Sequence, residues 1–128
     1  DVWRQFDVPA LTDVAVGPDE YRDNLEKMIL SVKDSVKGIF ILTPYYMEPN
    51  RDDMMRARMD VYSDICRSLA AKHGATLVDF QKMYENYCKI RHSSFIAWDR
   101  VHPNQVGATL MALEFLKACG FDRFGSRE

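Results

Sequence analysis

The stretch Asp99-Arg100-Val101-His102-Pro103-Asn104 sets a carboxylate three residues before an imidazole, with a proline, an asparagine and an amphipathic run behind. A carboxylate beside a histidine selects its tautomer and stabilises its protonated form, as the base of an acyl-transfer reaction requires. Pro103 suits the first helical position, where the missing N–H is no loss and φ is already helical. This reading places His102 at the mouth of a helix and Asp99 on the loop leading into it. The spacing also arises by accident, and an aspartate near a helix start is often only a cap.

The other chemistry-bearing residues point less sharply. His73 falls in the basic last turn Lys72-His73-Gly74 of a helix, where the helix dipole explains it. His92 lies in the polar break Lys89-Ile90-Arg91-His92-Ser93-Ser94 and has no patterned partner. Cys66, Cys88 and Cys119 form neither a C-x-x-C pair nor a zinc pattern. Cys66 and Cys119 fall on apolar helix faces, as buried filler would. No ligand cluster of the H-E-x-x-H kind is present. None of the serines (Ser31, Ser35, Ser63, Ser68, Ser93, Ser94, Ser126) stands in a Gly-Asp-Ser or Gly-x-Ser-x-Gly setting. No serine therefore reads as a nucleophile that such a base could serve.

The elements that must position this pair alternate between strand and helix. Gly17-Pro18-Asp19-Glu20 starts a helix with proline and acids in its first turn. Its apolar stripe is Tyr21, Leu25, Met28, Ile29, Val32 and Val36, and Gly38 stops it. Ile39–Thr43 is an unbroken apolar run that reads as a parallel strand buried on both faces. It leads into Tyr45, Tyr46 and Met47, at the strand end where α/β folds gather ligands, although packing is the preferred role for all three. Asn50 is the expected cap of the next helix, whose buried face is Met55, Met59, Tyr62, Ile65, Cys66 and Leu69. Arg56, Arg58 and Arg67 are assigned to its solvated side. Thr76–Phe80 is a second strand, with Asp79 capping a helix from Gln81 to about Lys89. The last helix carries Val106, Leu110, Leu113, Leu116 and Cys119 as its stripe.

A chain of 128 residues is one domain's worth. A formal net charge of −2 supplies no basic field, which argues against nucleic acid as partner. No apolar run is long enough to span a bilayer. The odd cysteine count makes a reducing, cytoplasmic location the simpler expectation. Strand and helix alternation predicts an α/β class with a parallel sheet, yet two strands are too few to cover several amphipathic helices.

Asp99-Arg100-Val101-His102-Pro103, with Asn104 and Gly107 behind it, resembles the last block of the SGNH (GDSL) hydrolases, in which Asp-x-x-His-Pro supplies the acid and base of a serine triad. Asp1 resembles the final acid of that family's Gly-x-Asn-Asp block, whose asparagine would stand just before Asp1. The resemblance runs from Asp1 through Phe121 and lacks the serine, glycine and asparagine blocks. It implies a three-layer α/β/α sandwich of about five parallel strands, of which this chain carries the last two. Residues 1–128 would then form a single partial domain, the carboxyl-terminal part of the hydrolase. The implied activity is ester hydrolysis through an acyl-enzyme on small acyl esters, such as O-acetyl groups on carbohydrates, with His102 as base and Asp99 as its orienting acid. No cofactor is implied, and the chain alone is expected to be inactive. The expected partners are a small ester substrate and either a complementary amino-terminal segment or a second copy of the chain. The rival reading is a non-catalytic α/β binding module, or an assembly fragment completed by another chain.

Overall fold

The computed structural model describes residues 8–121; Asp1, and with it the Gly-x-Asn-Asp reading, lies outside the described residues. The elements are α1 (Pro18–Val32), β1 (Phe40–Leu42), α2 (Met54–His73), β2 (Thr76–Val78), α3 (Phe80–Cys88) and α4 (Gln105–Ala118). Short 3-10 turns at Pro9–Val14 and Ser93–Phe95 join them. β1 and β2 pair in parallel, with Ile41 opposite Leu77. Successive strand side chains face opposite ways, and the two faces bury into different clusters. Ile41 and Leu77 pack with Ile29 of α1 and with Ile65, Cys66, Leu69 and Ala70 of α2. Val78 packs with Phe80 and Tyr84 of α3, with Met47, Ile96 and Ala97, and against Leu110 and Met111 of α4. Helices thus cover both faces, giving the expected α/β class with three layers. No described helix is long and apolar enough to cross a membrane.

Local chemistry explains the element boundaries. α1 opens at Gly17, with Pro18 at its start and Asp19 and Glu20 in the first turn. It ends at Val32, short of Gly38, and residues 33–37 lie exposed, without the burial that sustains a helix. α2 is capped by Asp53, whose carboxylate accepts from the Arg56 amide at 3.0 Å. The expected cap, Asn50, instead turns the preceding loop by accepting from the Asp52 amide. α2 closes on Gly74 at φ 66, a left-handed position that glycine takes without a Cβ penalty. His73 in its last turn reaches back to Glu26 of α1 at 2.6 Å, beside Lys72 at 2.7 Å. Lys72 and His73 hold the Glu26 carboxyl below its usual range.

Three expectations about burial are corrected. Arg56 is wholly buried rather than solvated: it donates to the Glu48 carbonyl at 2.5 Å and pairs with Asp60 at 2.9 Å. β1 is buried on one face only, with Phe40 and Leu42 exposed at 41% and 42%. These two line an apolar groove of about 410 Å³ along β1, with Leu25, Met28, Ile29 and Val32 of α1 on its other wall. In α4, Val106, Leu113, Leu116 and Cys119 are exposed, whereas Gly107 is buried and Leu110, Met111 and Ala118 are half-buried. A helix apolar on nearly every side gives its period no power to choose a face. Close approach chooses it here. A Cβ built on Gly107 would stand 2.7 Å from the Ile96 carbonyl oxygen and 2.9 Å from the Pro103 Cβ.

Gly107→Ala should therefore push α4 off Ile96 and lower unfolding stability by about 1–3 kcal/mol, as overpacking does. Urea denaturation would show it as a lower midpoint at unchanged slope.

Candidate active site

The loop after β1 is held at its base by α3 and α2. Gln81, wholly buried, accepts from the Tyr46 amide at 2.7 Å and donates to the Tyr46 carbonyl at 3.1 Å. The Thr43 hydroxyl accepts from the Gln81 amide and donates to Asp79, and Ser63 donates to the Pro44 carbonyl. Tyr46 and Met47 are buried; they are packing residues, as preferred, and not an open cleft wall. Asp79 caps α3 through the Lys82 amide, as expected. Burial pushes the Asp79 carboxyl up, but Arg67 at 2.7 Å, the Lys82 amide and the Thr43 hydroxyl outweigh it and hold it below its usual range.

A second clamp closes the excursion from Ile96 to Asn104. The Asn104 amide donates to the Ile96 carbonyl at 2.8 Å, and its side chain donates to the Phe95 carbonyl at 3.0 Å. Its side-chain oxygen meanwhile caps α4 through the amides of Val106 and Gly107. Asn104 is therefore the cap and Pro103 stands before it, outside the helix, which corrects the first-position reading of Pro103. Ahead of the loop, His92 is not partnerless: its ring caps the Ser93–Phe95 turn by accepting from the Ser94 amide.

Asp99 and His102 stand together at the top of this excursion. One Asp99 oxygen accepts from the amides of Val101 at 3.0 Å and His102 at 2.8 Å. The other lies 2.5 Å from His102 Nδ1. The His102 side chain hydrogen bond, the two amides and the imidazole charge hold the Asp99 carboxyl far below the usual carboxylate range. An ionised partner at Nδ1 assigns the ring proton to that nitrogen and leaves Nε2 with its lone pair. The His102 side chain is 78% exposed, against 21% for Asp99. This arrangement can take a proton at Nε2 while the carboxylate steadies the imidazolium, which is general-base chemistry.

The turn between them rests on Arg100, at φ 65 the one non-glycine residue with positive φ among the described residues. A side chain there costs on the order of 1 kcal/mol and persists only where its surroundings enforce it. The Arg100 carbonyl accepts from the Met47 amide at 2.9 Å, and its guanidinium pairs with Glu48 and lies 5.3 Å from the Tyr46 ring centroid. Sequence reading left Arg100 and Glu48 unconnected, because no local pattern links residues so far apart in the chain.

The described serines do not supply a partner for His102. Ser93 is buried, and the Ser94 hydroxyl is engaged by His92 at 2.9 Å. No group of three or more His, Cys, Asp or Glu among the described residues is arranged to hold a metal ion. A charged recess between α2 and α3 gathers Arg51, Arg56 and Arg67 against Asp60, Asp79 and Glu85. Its charges pair with one another, so it braces the helices.

Two consequences can be measured. Asn104→Ala removes a helix cap and the Phe95 tie, and should cost about 1–2 kcal/mol in thermal or urea unfolding. Asp99 has a depressed folded value, so what it contributes is fully present above the ordinary carboxylate range and is lost only as pH falls through that lower value. The amide 15N shifts of Val101 and His102 should accordingly titrate together, with a midpoint below about 3.9.

The family profile described as GDSL-like Lipase/Acylhydrolase matches residues 2–110. The acetylxylan esterase of Geobacillus stearothermophilus is 39% identical over 127 residues, which is 99% of this chain and 58% of that protein. The crystal structure of Axe2, an acetylxylan esterase from the same organism, superposes with a TM-score of 0.91 at 38% identity, covering 98% of this chain and 57% of that one. The crystal structure of LAE5, an alpha/beta hydrolase enzyme from the metagenome of Lake Arreo, Spain, gives 0.88 at 49% identity, covering 93% and 55%. Variants of Axe2 that replace a serine, an aspartate or a histidine by alanine are described as catalytic mutants, and the aspartate and histidine lie three positions apart. The chain spans little more than half the length of these relatives. On the profile match and the shared fold, it belongs to the GDSL-like lipase/acylhydrolase family.

Proposed function

We propose that His102 and Asp99 are the base and orienting acid of a serine-type ester hydrolase acting on small acyl esters, O-acetyl groups on carbohydrates foremost. The observation that carries this reading is the 2.5 Å approach of the Asp99 carboxylate to His102 Nδ1 on an exposed ring. The three-residue spacing of the aspartate and histidine in the Axe2 catalytic mutants supports it, as does the likeness to an acetylxylan esterase. In the proposed cycle His102 Nε2 takes the proton of a serine hydroxyl as the oxygen attacks the ester carbonyl. It then returns the proton to the leaving alkoxide, and repeats the exchange with water to release the acid. Asp99 holds the tautomer that leaves Nε2 basic.

The nucleophile and the oxyanion donors belong, in this reading, to a segment or chain that completes the domain, and residues 1–128 by themselves do not turn over ester. The apolar groove along β1 supports such completion. It exposes Phe40 and Leu42 beside a strand whose outer edge has no partner among the described residues, and open edges of this kind pair readily. The complement is an amino-terminal segment or a second copy of the chain. The odd number of cysteines makes a reducing, cytoplasmic setting the proposed location.

Hydrolysis of a chromogenic acetate ester by the completed enzyme should fall at least about 10⁴-fold in kcat in His102→Ala. Acetate released from acetylated xylo-oligosaccharides should fall in step. Turnover undiminished in that variant would reject the assignment.

A further inference from the structure

We propose that Arg100 is the positioning residue of this site, latching the turn that carries Asp99 and His102 onto the buried loop after β1. The inference rests on the reading of His102 as the base. His102 is 78% exposed, so its aim depends chiefly on the turn beneath it. That turn requires positive φ at Arg100 so that the amides of Val101 and His102 both point back at the Asp99 carboxylate.

What Arg100 grips is itself immobilised. Glu48, its ion-pair partner, is 14% exposed, accepts from the Asn50 amide at 2.8 Å, and presents its carbonyl to the buried Arg56. Tyr46, beneath the guanidinium, is 3% exposed and clamped through both backbone groups by Gln81. Asp53, at the cap of α2, also acts on Arg100 through its charge, so the guanidinium faces Glu48, Asp53 and the Tyr46 hydroxyl. Contact runs from the α3 core through Gln81, Tyr46 and Arg100 to the Asp99 turn. A side chain serving only the surface would not be held in a backbone region that disfavours it. Arginine suits the role because its flat guanidinium can stack and pair at once, which lysine cannot.

The test follows the Asp99 carboxyl carbon by NMR titration in the 128-residue chain, with thermal unfolding recorded alongside. The variants are Arg100→Gly, Arg100→Lys, Glu48→Gln and the control His102→Gln. Glycine accepts positive φ, so any effect of Arg100→Gly comes from the lost side chain and not from backbone strain. Arg100→Gly removes a cation and Glu48→Gln removes an anion, so a field effect through space would move Asp99 in opposite directions. The latch predicts that both raise the Asp99 midpoint toward the ordinary value of about 3.9, with Arg100→Lys between them and wild type. His102→Gln should raise it as well.

In the completed esterase, both latch variants should lower kcat about tenfold to a hundredfold, with KM nearly unchanged, as misplacement of a reacting group does. Opposite shifts in Arg100→Gly and Glu48→Gln, or a lower melting temperature with Asp99 unmoved, would overturn the latch while leaving the His102 assignment standing. An Asp99 midpoint that also ignores His102→Gln would remove the acid–imidazole pair and the proposed function with it.

Discussion

One carboxylate organises the upper edge of this fold. Asp99 accepts from two consecutive amides with one oxygen and meets an imidazole with the other, so its negative charge is what closes the turn and sets the tautomer together. A neutral amide in its place could keep part of the first task and would lose the second. The three donors also explain why the group stays ionised far below the usual carboxylate range, against a desolvation that raises it.

That carboxylate sits on a loop, and loops carry precise geometry only when the scaffold beneath them is rigid. Here rigidity is supplied by polar side chains tied to the backbone, Gln81 and Arg56 buried and Asn104 at the surface. Gln81 closes both backbone groups of Tyr46, Arg56 holds the Glu48 carbonyl, and Asn104 serves its own helix and the Phe95 carbonyl at once. No buried side-chain nitrogen or oxygen among the described residues lacks a hydrogen-bond partner. A satisfied network of this kind specifies one arrangement, because any slip would strand a polar group away from water. Gly107 adds the steric counterpart by letting α4 lie against Ile96.

The open edge of the sheet obeys a different constraint. β1 offers an apolar face and an open edge, and α4 exposes Leu113, Phe115 and Leu116. Surfaces of that character are stable in water when something covers them. The relatives, nearly twice as long and alike in fold over the shared part, are consistent with a larger α/β layer around this one.

The sequence by itself determined the parallel strand pair, the helices between and around them, the caps at Asp79 and Gly74, and the pairing candidates Asp99 and His102. Each of these follows from residues close in the chain, through periodicity, capping or three-residue spacing. Only the tertiary structure decided that Arg56 is buried, that α4 turns Gly107 rather than Val106 inward, and that Phe40 and Leu42 stay exposed. It alone joined Arg100 to Glu48 and Tyr46. The reason is physical: Arg56 looks like any surface arginine until the Glu48 carbonyl is brought over it. Likewise, a helix apolar all round carries no directional signal until a neighbour presses on one side. Local spacing says which side chains can do chemistry; packing between distant segments says which way they point.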